Sequence, residues 1–152
     1  MVDVSLKELI ESGRFGPLRL GMSKEQVESF LGAPDDWSVG SRKFSQATIL
    51  KYGDVEFHFD PHAGGLWLIH LEQFDAPSRG KSVRLDPWVI RPSLTLSEME
   101  ECLSRNGISY QVTDQADWED YKCMVAGAGV KLIFNVEQWC LRALSHSKIH
   151  AS

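Results

Sequence analysis

Residues 20–34 read Leu20-Gly21-Met22-Ser23-Lys24-Glu25-Gln26-Val27-Glu28-Ser29-Phe30-Leu31-Gly32-Ala33-Pro34. Ser23 has the side chain of an N-cap, and Gln26 three positions later completes a capping box. Met22 and Val27 flank the cap and can pack across it as a staple. Val27, Phe30 and Leu31 recur at helical spacing and form the expected buried stripe. Gly32 with Pro34 ends the helix. So short a helix is not stable alone and needs an apolar surface to lie on.

The sequence downstream supplies a sheet. Ala47–Tyr52 is strand-like, and Gly53-Asp54 turns the chain. Val55, Phe57 and Phe59 then alternate with Glu56, His58 and Asp60, the pattern of a half-buried strand. After the loop Pro61-His62-Ala63-Gly64-Gly65, Leu66–Phe74 predicts a third strand, with Leu66, Leu68 and His70 on one face and Trp67, Ile69 and Leu71 on the other. Short turns between such strands predict an antiparallel meander. Upstream, Ser5–Ser12 reads as a short amphipathic helix stopped by Gly13 and Gly16-Pro17.

Ala76–Pro87 is rich in Pro, Gly, Ser and bases and reads as a linker. The pattern then starts again. Ser93–Asn106 predicts a helix stopped by Gly107, Ile108–Val112 an edge strand, and Asp114–Asp120 an acidic loop. Tyr121–Val125, Val130–Asn135 and Trp139–His146 predict three more strands. The helix around Val27 matches that around Met99 at an offset of 72, Val55–Asp60 matches Val130–Asn135 at 75, and Leu66-Trp67-Leu68 matches Trp139-Cys140-Leu141 at 73. The expected fold is α+β: a tandem duplicated unit of helix followed by antiparallel meander, with helices covering one face of the sheet. Residues 1–75 would form the first unit with its extra N-terminal helix, 76–87 the linker, and 88–152 the second unit.

The run Gly21-Met22-Ser23-x-x-Gln26-Val27-x-x-x-Leu31-Gly32-x-Pro34 resembles the helix motif of the small outer-membrane assembly lipoproteins of the BamE (SmpA/OmlA) type. The β-lactamase inhibitor protein is a tandem duplication of a similar α–β unit. The resemblance implies helices over an antiparallel sheet, and protein binding rather than catalysis. The motif residues cap and pack, so no functional residue is carried across. The lipobox cysteine and signal of those lipoproteins are absent, so outer-membrane assembly is not implied. A small, acidic, duplicated chain also resembles bacterial immunity proteins, which block a partner toxin; that is analogy at the level of fold.

The 152 residues carry a formal net charge of −5, which argues against nucleic acid and anionic membranes as partners. No apolar run approaches a membrane span, and Met1–Ile10 lacks the basic and apolar regions of a signal peptide. Cys102, Cys123 and Cys140 are an odd number without zinc-site spacing, as expected of reduced thiols in a cytoplasmic protein. No Gly-x-Ser-x-Gly elbow is present, and Ala126-Gly127-Ala128-Gly129 precedes a strand, so it reads as a hairpin turn rather than a phosphate cradle. Arg79, Lys81 and Arg84 are too few for a nucleic-acid site. No catalytic residue and no cofactor is expected.

Two groups of residues carry the functional expectation. Asp114, Asp117, Trp118, Glu119, Asp120 and Tyr121, with Asp35, Asp36 and Trp37 in the corresponding place of the first half, combine acids with aromatics. Charge speeds encounter with a basic partner and the aromatics anchor it. Trp37, Trp88 and Trp118 fall in predicted loops and are candidates for contact, whereas Trp67 and Trp139 are expected in the core or on a sheet face. The second group is His58, Asp60 and His62, with Glu56 and His70 nearby. Imidazole and carboxylate two residues apart on a strand can share a metal. The leading expectation is a bacterial immunity or inhibitor protein that occludes a toxin or enzyme; the alternative is a metal- or small-molecule-binding protein, possibly a hydrolase, built on the histidines. Pairing of copies through a free sheet edge is a third possibility.

Overall fold

The structure, a computed structural model, describes residues 1–39, 48–62, 64–72, 82–113, 121–135 and 140–147. The chain opens with strand β1 (Val2–Ser5) and helix α1 (Leu6–Ser12), capped by the Ser5 side chain. Helix α2 (Lys24–Leu31) follows, then strands β2 (Asp36–Ser38), β3 (Ile49–Tyr52), β4 (Val55–Phe59) and β5 (Leu66–Leu71). After β6 (Val83–Asp86) come helix α3 (Leu96–Arg105) and strands β7 (Tyr110–Thr113), β8 (Tyr121–Ala126), β9 (Val130–Asn135) and β10 (Cys140–Ser147). Among the described residues, no helix is long and apolar enough to cross a membrane.

Eight strands form one antiparallel sheet in the order β2-β3-β4-β5-β10-β9-β8-β7. Each half of the chain contributes four consecutive strands, and the last strand of each half meets the other at the centre. There Leu71 pairs with Leu144 and Ile69 with His146. The register carries one face across the sheet: Leu50, Phe57, Ile69, His146, Val130 and Ala126 lie opposite one another in turn. This face, with Tyr52, Val55, Leu71, Leu132 and Phe134, is buried against Val27 and Leu31 of α2, Met99 and Leu103 of α3, and Leu6, Leu9 and Ile10 of α1. The result is a mixed α+β protein with its three described helices on one face of the sheet.

Both capping boxes form, at Ser23 with Gln26 and at Thr95 with Glu98. The second helix therefore starts at Leu96, later than the pattern from Ser93 predicts. Each cap also touches the sheet: Ser23 bridges Gly65 and Thr95 bridges Cys140. The Leu66 amide donates to the Met22 carbonyl, and the Leu141 amide to the Leu94 carbonyl. Both strands that follow carry a bulge. Trp67 is the extra residue opposite His58 and Phe59, and Arg142 the extra residue opposite Ile133 and Phe134. These equivalences run at an offset of 75 on the strands, not the 73 that aligns Trp67 with Cys140.

Several expectations change. The bulge breaks the alternation of β5: Leu66 joins the core, and Trp67 turns toward His58, whose ring lies 6.0 Å away edge-on. Phe30, placed in the buried stripe by spacing, is 47% exposed, because Val27 and Leu31 carry the contact. Asp36–Ser38 is an edge strand rather than a loop. The stretch read as a linker contains β6, which pairs in parallel with β1; residues 76–81 lie outside the described residues. Trp88 is half-buried against the core, with the Lys7 ammonium 5.9 Å from its ring centroid. Such a parallel pair of four-residue strands has no strong sequence signal, since neither alternates over more than two turns of the pleat.

The N-terminal helix reaches across to the second half of the sheet. The Ala128 amide in the β8–β9 hairpin donates to the Ile10 carbonyl at 2.8 Å. Gly127, at φ 54, lies so close that a Cβ there would collide with the Ile10 carbonyl oxygen. Gly107, at φ 68, faces open space. Gly127→Ala is therefore expected to cost about 3 kcal/mol from strain and collision together, and Gly107→Ala about 1 kcal/mol from left-handed backbone alone. Urea denaturation of both variants checks this; equal losses would mean that α1 does not press on the hairpin.

Candidate functional site

The acid–aromatic group of the first half lies at the β2 edge. Trp37 is opposite Leu50, so its side chain is on the helix-bearing face, yet it is 61% exposed because the core stops short of this strand. Asp35 and Asp36 precede it. One Asp35 oxygen accepts from the Gly53 amide at 2.7 Å, which ties the strand entry to the β3–β4 turn. Asp36 Oδ1 accepts from the Trp37 amide at 2.8 Å. Neither bond removes the charge of its carboxylate.

The field at this edge registers on Tyr52. Its hydroxyl donates to the Gly32 carbonyl at 2.8 Å, pinning the end of α2 to β3. Burial pushes the phenol up to about 12, and the carboxylates of Glu28 and Asp35 push in the same direction. Phe30 is exposed on α2, whose C-terminal end is the one pinned to β3. Glu28 was not singled out by sequence and Phe30 was read only as part of the buried stripe, because what each meets depends on where α2 ends against β3.

Asp114, Asp117, Trp118, Glu119 and Asp120 lie outside the described residues, as does Trp139. Tyr121 opens β8, half-buried, opposite Asn135. It shares the face of Cys123 and Ile133, which is the face away from the helices. Trp37 and Tyr121 thus lie on opposite faces, on strands six spacings apart in the sheet order. At about 4.8 Å per spacing that is roughly 29 Å. Trp37 and Tyr121 therefore do not share a surface.

The histidine group gathers differently from the pattern His58, Asp60, His62. His58 lies half-buried on the open face of β4, with its Nε2 3.7 Å from Glu56 and Trp67 beside it. Asp60 instead accepts from the His62 amide at 2.8 Å and holds the turn, while His62 is exposed beyond it. What converges is Glu56, His58, Trp67, His70 and Glu72: Glu56 pairs with His70 across the strands, and His70 Nε2 lies 2.9 Å from Glu72. Among the described residues, no group of three His, Cys, Asp or Glu has the geometry to hold a metal ion. Cys123 is buried, and burial pushes its thiol up, away from nucleophilic use.

Burial lowers the pKa of His58, the Glu56 carboxylate opposes that shift, and His70 adds to it. His58 is therefore expected to titrate below an ordinary histidine in a pH series followed by NMR, and Glu56→Gln to move it lower still. The neutral ring is the favoured folded form. Its contribution is complete above the ordinary histidine value of about 6.5 and is lost as pH falls below it. An unchanged titration in Glu56→Gln would remove Glu56 as its partner.

No family model, no curated protein and no solved structure matches the chain.

Proposed function

We propose that this is a non-catalytic protein-binding protein, an immunity or inhibitor protein of the bacterial cytoplasm that occludes a toxin or enzyme through the β2 edge. The observation that carries the reading is Trp37, 61% exposed beside the carboxylates of Asp35 and Asp36. A large, rigid aromatic in an acidic setting suits a basic partner: charge steers the encounter and the indole fills a pocket. The net charge of −5 agrees with such a partner and not with nucleic acid. The BamE-like and tandem-repeat readings belong to the same proposal. Two capping boxes that bridge the sheet in the same way and bulges at Trp67 and Arg142 support the tandem repeat, and the BamE-like reading rests on the motif of residues 21–34. The metal-site alternative at His58, Asp60 and His62 rests on the sequence pattern, and among the described residues no group of three His, Cys, Asp or Glu could hold a metal ion.

Capture of tagged protein from extract of its own organism, at low and high salt, tests the reading. A single stoichiometric partner whose retention falls with salt is expected. Against that partner, Trp37→Ala should weaken binding by about 2 kcal/mol, roughly thirtyfold, with unchanged thermal stability. The Asp117→Ala, Trp118→Ala double variant is the comparison for the other acid–aromatic group. Full affinity in a folded Trp37→Ala protein would rule out the β2 edge as the interface.

A further inference from the structure

We propose that His146 is a proton-operated latch, holding the N-terminal helix against the β8–β9 hairpin while its ring is neutral and releasing it when the ring is protonated. His146 is, among the described residues, the buried polar residue of the core, 7% exposed, on the helix-bearing face of the central strand β10. Ile69 and Val130 flank it across the sheet. Its Nδ1 is buried without a hydrogen-bond partner. Its Nε2 lies 3.0 Å from where a Cβ of Gly13 would stand, so the left-handed C-cap of α1 closes directly over the ring. The same end of α1 is held by the bond from Ala128 to the Ile10 carbonyl. Helix end, hairpin and imidazole therefore meet at one point.

Among the described residues, no carboxylate compensates a charge there. Lys7, Glu8 and Glu11 of α1 and the following Arg14 are not buried, and Arg142 of β10 is exposed. His70 of β5 and Lys131 of β9 are directly opposite Ser145, which places them on the other face. Lys122 shares the face of His146 but lies four residues along β8 from Ala126. None of these contributes to the titration of His146, which burial lowers and only the Gly129 backbone opposes. Protonation thus buries an uncompensated charge, and a buried charge without a partner drives local opening where opening is easiest. The easiest route is at the surface element above the ring, because β10 is held by strands on both sides. Stability from the neutral ring is present above the ordinary histidine value and is lost as pH falls below it.

Hydrogen exchange of the full chain, corrected for intrinsic rates and compared at about pH 7.5 and about pH 5.5, tests the latch. Acidification is expected to reduce protection by up to about tenfold in peptides covering residues 6–13 and 126–130, while β3, β4 and β5 keep theirs. His146→Leu should abolish that local loss, and His58→Gln should leave it intact. The same loss in His146→Leu, or uniform loss across the sheet, would overturn the proposal. If His146→Leu does not fold, ring NMR of the unaltered protein decides. Protonation of His146 must coincide with the loss of protection in 6–13, and protonation with α1 still protected refutes the latch.

Discussion

The pairing of β5 with β10 is the contact on which the rest of the structure depends. Each half of the chain supplies four strands, and without this pairing each half would end in an unpaired, apolar central strand. Leu71 against Leu144 and Ile69 against His146 place four side chains on one face at the middle of the sheet. A slip of one residue would turn all of them to the other side. The register therefore decides which face the helices cover, and with it which residues remain for a partner. It also puts a histidine where the rest of the row is apolar. The core accepts His146 because the ring is neutral and nearly as apolar in shape as its neighbours.

The N-terminal helix is the second consequence. α1 precedes the first helix–sheet unit in sequence, yet its C-terminal end is bonded to the hairpin of the second. Gly127 leaves the space for that approach and Gly13 closes it. The N-terminal segment also pairs through β1 with β6, which lies between the two halves. So α1 ties the halves together on the helix side, as β5 and β10 do within the sheet.

What was legible in the sequence was local. Ser23, Gln26 and Gly32 specify α2 through backbone capping, which needs no tertiary context, and the structure reproduces it. Alternation at Val55, Phe57 and Phe59 specified a strand for the same reason. Phe30 failed because a stripe defined by spacing is wider than the contact the helix makes; only the position of α2 over β3 selects Val27 and Leu31. Trp67 failed because a bulge inserts one residue and reverses the alternation after it. His58, Asp60 and His62 looked convergent because a strand places i and i+2 on one face. Asp60 already belongs to the turn, where its carboxylate is committed to the backbone of His62. The two acid–aromatic groups were legible as composition. The placement of Trp37 and Tyr121 on opposite faces was not, because it depends on the pairing of eight strands.

The β2 edge offers side chains rather than backbone. An open edge strand ordinarily invites another strand through its unpaired amides. Here the strand is three residues long, and the Trp37 amide is already occupied by the Asp36 carboxylate. A carboxylate beside that amide also repels the carbonyl oxygens of any strand that approaches it. Addition of a strand is thus disfavoured at the one position where the indole is most accessible. Recognition at this edge then depends on what the ring and the two aspartates present to solvent. Under the proposed function, a partner would bring a pocket for Trp37 and positive charge for Asp35 and Asp36, which is a more selective demand than a backbone ladder makes. The same aspartate that protects the sheet from indiscriminate pairing supplies the charge that a specific partner would read.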